Sequence, residues 1–373
     1  MKSILALLAM MCVELAAGSC AGTQKPVKGP APEIPSSDLL LDGVSEVTPV
    51  AQITGKESIN RTDAHGVYGC DLGSMFQDGG RTYFLFGDTF GYRSLSHTGS
   101  GGENWRSNTM AWSTTTDPEN GITLDGWITD PRGTAKELLS SRKKENDEVT
   151  VIPTNGVAAN GALFIFYMSV RHWGDPGYWD CNYSGIARST DSGQTWTKLS
   201  QPRWPGGSNF VQVAIWKQTG DLLIWGIPSG RHGGAALMKV HETEIENAGS
   251  YRYFAGARDG QPAWSKDMRD AATIVDLPVG ELSVAWNPYL GRWIMTYLNE
   301  HSHNLEIREG IAPWGPWGPG RMLVSARRYP ALYGAFMCPS FIAEGGKVIY
   351  FTMSQFGPYN VFLMRATLDR ALR

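Results

Sequence analysis

Apolar and polar positions along this chain repeat one arrangement. An apolar strand runs into a short turn, an aromatic or aliphatic strand follows, and a third, alternating strand comes later. The turns are Asp78-Gly79-Gly80, Asn160-Gly161, Thr219-Gly220-Asp221, Asn287-Pro288 through Gly291, and Gly345-Gly346. Asn-Gly and Gly-Gly pairs accept positive φ and so mark tight hairpins. The second strands read YFLFGDTF (83–90), LFIFYMSV (163–170), LLIWGIP (222–228), WIMTYL (293–298) and VIYFTMS (348–354). The third read NTMAWSTT (108–115), SGIARST (184–190), AALMKVH (235–241), NLEIREG (304–310) and NVFLMRAT (360–367). Five such meanders predict an all-β, five-bladed β-propeller, with a β-sandwich plus appendages as the competing architecture. Residues 46–60 are read as the strand that closes the ring on the last blade, and residues 135–148 as a short charged, solvated helix.

Composition agrees with that picture. Of 373 residues, 44 are Gly and 21 Pro, and 14 Trp, 14 Tyr and 13 Phe add aromatic bulk to a turn-rich chain. With 33 basic and 36 acidic residues the net charge is −3, which excludes the basic stripe of a nucleic-acid binder. Charged residues at 18% and hydrophobics at 42% exclude a disordered chain. Residues 189–196, STDSGQTW, match the Asp-box turn of propellers, a structural turn and not a catalytic mark.

The N-terminus reads as an address. Lys2 precedes an apolar run from Ile4 to Ala17, interrupted by Glu14 and too short to span a bilayer. It ends Ala17-Gly18-Ser19-Cys20, similar to a bacterial lipoprotein signal with Cys20 as the lipidated residue, although Ala17 stands where a larger apolar residue is usual. The expected organisation is a signal at 1–20, a Pro-rich tether at 21–45 and one propeller domain at 46–373. That makes an exported protein, extracellular or held at the envelope by its lipid, touching membrane only there. It is expected to be a monomer. Beyond the signal only Cys70, Cys181 and Cys338 remain, none at zinc-ligand spacing, so neither metal nor organic cofactor is implied.

In a propeller, each innermost strand begins at one mouth of the channel and the second strand returns to it. Asp71 and Asp88 are symmetric about the Gly79-Gly80 turn, so a regular hairpin places them opposite one another, with Cβ atoms roughly 4.5–5.5 Å apart. Paired carboxylates split their pKa values, giving one proton donor and one ionised base, the equipment of glycoside hydrolysis. Strand-end aspartates that merely bind turn amides are the plainer reading. Glu281 begins the innermost strand of blade four and should reach the same mouth, with Tyr297 as its hairpin partner.

The same residues carry a family likeness. GCDLGSMFQDGGRTYFLFGDTFG (69–91), WRSNTMAWSTTTDPENGI (105–122), VTVIPTNGVAANGALFIFYMSV (149–170), GELSVAWNPYLGRWIMTYL (280–298) and YGAFMCPSF (333–341) resemble glycoside hydrolase family 183, formerly domain of unknown function 4185. The resemblance spans about residues 60–368. It implies an endo-D-arabinanase acting on arabinofuranose chains of mycobacterial-type arabinogalactan and lipoarabinomannan, with Asp71 and Asp88 as the essential acids. Cys70 stands where the family more often has Thr, and Cys338 where His is usual. A Cys70–Cys338 bridge stapling blade one to blade five is the expectation drawn from these departures.

The expected chemistry is hydrolysis of internal α-D-arabinofuranosyl bonds, with Asp71 and Asp88 sharing the roles of acid and of base or nucleophile, and Glu281 as partner or tuner. A close pair favours retention and a partner across the channel favours inversion. Asn108, Thr154 and Tyr333 are candidates for sugar hydroxyls; Trp105, Trp173 and Trp179 for flat faces under sugar rings. His172 and His232 lie in long connections that either line the cleft or face water. Two other functions fit a propeller: a lipoprotein that binds wall glycan without cutting it, and a sialidase, which needs an arginine triad that the scattered Arg106, Arg231 and Arg327 do not convincingly supply.

Overall fold

The structure, a computed structural model, describes residues 31–94 and 96–371; the expected signal, Cys20 and the first part of the tether lie outside them. Strand β1 (Leu41–Gln52) is followed by blade one, β2 (Gly69–Asp78), β3 (Arg81–Phe90), β4 (Thr109–Ser113) and β5 (Gly126–Trp127). Blade two is β6 (Thr150–Ala159), β7 (Ala162–Trp173), β8 (Trp179–Ser189) and β9 (Thr197–Pro205). Blade three holds β10 (Gln212–Gln218), β11 (Asp221–Ile227), β12 (Gly233–His241), β13 (Arg252–Arg258) and β14 (Gln261–Ser265), with β15 (Thr273–Val279) also paired to β12. Blade four is β16 (Leu282–Asn287), β17 (Arg292–Asn299), β18 (Asn304–Gly310) and β19 (Arg321–Val324). Blade five is β20 (Leu332–Ala343), β21 (Val348–Gln355) and β22 (Asn360–Arg370), completed by β1 on its outer edge.

The five predicted turns are the five inner hairpins. Gly79 and Gly80 (φ 54° and 78°), Asn160 and Gly161 (46° and 72°), and Thr219 and Gly220 (50° and 85°) adopt the left-handed backbone that two-residue hairpins of twisted strands require. Inner strands pack in a closed ring, β2 on β6, β6 on β10, β10 on β16, β16 on β20 and β20 on β2. Each blade is covered on both faces by its neighbours. The second strands therefore read as nearly continuous apolar runs, and Phe84, Phe86, Phe164, Phe166, Trp225 and Phe351 are buried between blades. Among the described residues no helix is long and apolar enough to cross a membrane.

Several expectations are corrected. Ring closure begins earlier than residue 46: β1 starts at Leu41 and runs antiparallel to β22 from Leu41↔Arg370 to Gln52↔Phe362. The end of the expected tether is thus part of the fold. Ile34 is buried, and the backbone amides of Leu40 and Leu41 both donate to Glu309 at 2.8 Å. Residues 135–148 form no helix. Asn108 holds the amides of Leu138 and Leu139 and the carbonyl of Leu139, and Arg106 holds the carbonyl of Ala135, so these backbone groups bond to the blade instead of to one another.

All three described cysteines are free. Cys70 is the second residue of β2, at the mouth. Cys338 is the seventh of β20, beside Ser340, whose hydroxyl accepts from Gln77 at 2.8 Å. The seven residues from Cys70 to Gln77 span roughly 20 Å of strand, and a disulfide needs Cα atoms within about 7 Å. The Cys70–Cys338 bridge is therefore not formed.

Candidate active site

The first hairpin is regular from Asp78↔Arg81 to Ser74↔Leu85, then shifts at Leu72↔Phe86 before recovering at Cys70↔Thr89. Leu72 and Gly73 take positive φ, 67° and 79°, so the opposition of Asp71 and Asp88 is that of a bulge and not of a regular ladder. Blade five holds the bulge in place: Ser354 accepts from the Leu72 amide at 2.9 Å, and Thr352 donates to the Gly73 carbonyl at 2.9 Å. The Asp71 carboxyl consequently lies over Gly87, where any Cβ would collide with it.

Both aspartates open on a cavity of about 740 Å³ at the mouth where the inner strands begin. Tyr333 donates to Asp71 Oδ2 at 3.0 Å, while Oδ1 is buried without a hydrogen-bond partner. Burial first, then the charge of Asp88, raises the Asp71 pKa to about 7, against the opposing help of Tyr333 and Tyr359. Asp88 Oδ1 accepts from Thr150 at 2.6 Å and from the Trp105 indole at 2.8 Å. Burial also lifts Asp88, to about 6, with those two donors acting the other way.

Glu281 reaches the same cavity, but its register differs from the expected one. Leu282, not Glu281, pairs with Tyr297, because the loop Pro288 to Gly291 between β16 and β17 holds four residues instead of the three implied by symmetry about Tyr289. Glu281 precedes the strand, and Arg231 grips it: Nε lies 2.9 and 3.1 Å from its two oxygens and Nη2 2.8 Å from Oε1. Arg231 Nη1 also reaches Glu300 at 3.2 Å, and its guanidinium sits 5.1 Å over the ring of Tyr333. Glu281 is thus a clamped carboxylate within a charged ledge.

Thr154, Trp173, Trp179 and Tyr333 line this cavity with the acids. Two expected sugar contacts do not. Asn108 is fully buried and spends its amide on Leu138, Leu139 and Val151, tying blade one to the segment after it. Trp105 orients Asp88 through its indole, with Lys143 4.1 Å over its ring. His172 pairs with Glu145, and His232 stacks beneath Tyr178. The sequence reading missed Tyr359, Thr150 and Glu300. Glu300 was accessible to it, since β17 is a second strand and returns to the mouth; the contacts of Tyr359 and Thr150 cross between blades and leave no mark in spacing.

The arginines proposed for a carboxylate-binding triad are dispersed. Arg106 bonds the carbonyls of Ala135 and Gly66, Arg327 is exposed outside the cavity, and only Arg231 lines it. A second hollow of about 830 Å³ opens among the hairpin turns at the other end of the blades. There Lys217 is paired with Glu242 and Arg81 stacks on Trp112 at 4.0 Å, and no acid pair converges. Among the described residues no group of three or more His, Cys, Asp or Glu is arranged to hold a metal ion.

The sequence matches the domain of unknown function DUF4185 over residues 57–365. The chain belongs to the DUF4185 family. No curated protein sequence matches this family member significantly. Its fold is similar to a presumed hydrolase from Bacteroides ovatus ATCC 8483, at TM-score 0.57 and 12% identity, covering 90% of this chain and 96% of that one. It is also similar to a GH43_1 enzyme from Xanthomonas citri, at TM-score 0.50 and 13% identity, covering 83% and 90%. At such identities these likenesses concern the fold of this DUF4185 protein alone.

Proposed function

We propose that this protein is a glycoside hydrolase that cuts internal α-D-arabinofuranosyl bonds of arabinogalactan or lipoarabinomannan. The observation that carries the reading is the pair Asp71 and Asp88, two buried carboxyls on one cavity whose pKa values are raised to about 7 and about 6. Asp71, the higher of the two, is the proton donor. Its proton goes to the leaving oxygen as the C1–O bond breaks. Asp88, oriented by Thr150 and Trp105, either takes a proton from the water that attacks C1 or attacks C1 itself. Tyr333 returns a hydrogen bond to Asp71 as it becomes an anion.

The surroundings support an uncharged sugar as substrate. Asp71, Asp88, Asp175, Glu281 and Glu300 line the cavity, and Arg231, the single Lys or Arg lining it among the described residues, is engaged by two of them. A uronate or sialate would meet carboxylates and no unengaged arginine. The family resemblance of the DLG and FGDTF blocks supports arabinofuranose as that sugar.

The test is incubation of the protein with mycobacterial-type arabinogalactan beside Asp71→Asn and Asp88→Asn, with soluble oligosaccharides read by chromatography. A ladder of arabino-oligosaccharides from the wild type, reduced at least about 100-fold in each variant, is the expected result. Retention on the polysaccharide without products would make the propeller a glycan-binding module instead.

A further inference from the structure

β7 and β8 are longer than their blade needs. The inner strand β6 starts opposite Val170, yet the β7–β8 ladder continues to Trp173↔Trp179, so residues 171–180 rise beyond the inner strand as an arm at the mouth. The arm is fixed. Within its tip the Gly174 amide donates to Tyr178 at 3.0 Å and the Tyr178 amide to Asp175 at 2.8 Å; from blade three the Arg231 amide donates to Gly177 at 3.0 Å. The Tyr178 ring lies flat on His232, centroids 4.0 Å apart and planes 15° from parallel. Trp173 stands edge-on to Trp179 at 5.5 Å. Braced in this way, Tyr178 remains 55% exposed and Trp173 40% exposed. Both belong to the cavity that holds the acids. Phe356, also exposed, lines it from blade five.

Rigid, half-open aromatic faces with one wet side suit the C–H face of a sugar ring, which is apolar on one side and hydroxylated at its rim. We propose that Trp173 and Tyr178 form a subsite for neutral sugar units remote from the bond being cut, so that the protein reads several consecutive residues of a glycan chain. This rests on the hydrolase reading for its catalytic part, and on the arm alone for its binding part.

The experiment uses the full chain, Tyr178→Ala, Trp173→Ala, the conservative Tyr178→Phe, and Trp286→Ala as an exposed tryptophan outside the cavity. Cleavage is followed on arabino-oligosaccharides of increasing length, and binding by affinity electrophoresis in arabinan gels. The expected result is kcat/KM that climbs with chain length in the wild type. In Tyr178→Ala and Trp173→Ala it falls by about tenfold on the longest substrate and much less on the shortest one cut, while Tyr178→Phe and Trp286→Ala follow the wild type. A uniform fall at every length, or none, overturns the subsite while the hydrolase stands. If the wild type binds arabinan without cutting it and the two alanine variants lose that retention, the subsite stands and the hydrolase falls. Neither binding nor cleavage overturns both.

Discussion

Asp71 and Asp88 are held where water would not leave them. A carboxyl whose folded pKa lies above its unfolded value binds more protons when folded, so its contribution to stability is full at low pH and is lost as pH rises through the folded pKa. For Asp71, raised from 3.8 to about 7 first by burial and then by Asp88, that loss runs from about pH 4 to about pH 7. Asp71→Asn removes the titrating group. It is expected to raise Tm by about 2 °C at pH 8 and to leave Tm unchanged at pH 4, read by calorimetry at both values, while abolishing activity. A variant less stable than wild type at pH 8 would contradict the burial argument. Asp191 of the Asp-box shows the opposite environment. It accepts from Thr195 through both amide and hydroxyl and from Ser189, which hold it near pKa 2, and it fixes a turn between β8 and β9 without reaching the cavity.

At the scale of the element, the first hairpin decides the site. Its ends were legible because Asp78-Gly79-Gly80-Arg81 is unambiguous turn chemistry, and the position of the acids followed from counting. Its bulge was not legible. Nothing in Asp71-Leu72-Gly73 announces positive φ at a leucine, and the groups that hold it there, Ser354 and Thr352, come from a blade some 280 residues away in sequence. The bulge lays the Asp71 carboxyl over Gly87, beside Leu72. Gly87→Ala is therefore expected to displace the carboxyl and lower kcat by about 100-fold, with Tm within a few degrees of wild type. Undiminished kcat would show that Asp71 has room to move without consequence. The one-residue slip at Glu281 has a similar origin: a four-residue loop, closed by the Asn287 side chain on the Leu290 amide at 2.9 Å, sets a register that symmetry about Tyr289 does not.

For the whole molecule, β1 is the clasp. It covers the open edge of β22, and Glu309 of blade four anchors its first residues. An uncovered edge strand leaves unpaired backbone groups and invites association. The reference is the full chain. One starting at Ile53 is expected to melt lower by about 10 °C or more, or to aggregate. Equal melting of the two would mean that the ring closes without β1.

What the sequence determined by itself is local: turns that require positive φ, apolar runs between them, five repeats of that unit, and two aspartates at equal distance from one glycine turn. Those features depend on neighbours within a hairpin, so a hairpin's worth of chain is enough to read them. The tertiary structure decided whatever joins distant segments. Arg231 meets Glu281 across 50 residues, Tyr333 meets Asp71 across 262, and Cys338 sits far down its strand from Cys70. Each of these is set by the ring, which brings five strand starts to one mouth and gives each side chain a depth, and depth in a ring has no counterpart in sequence spacing.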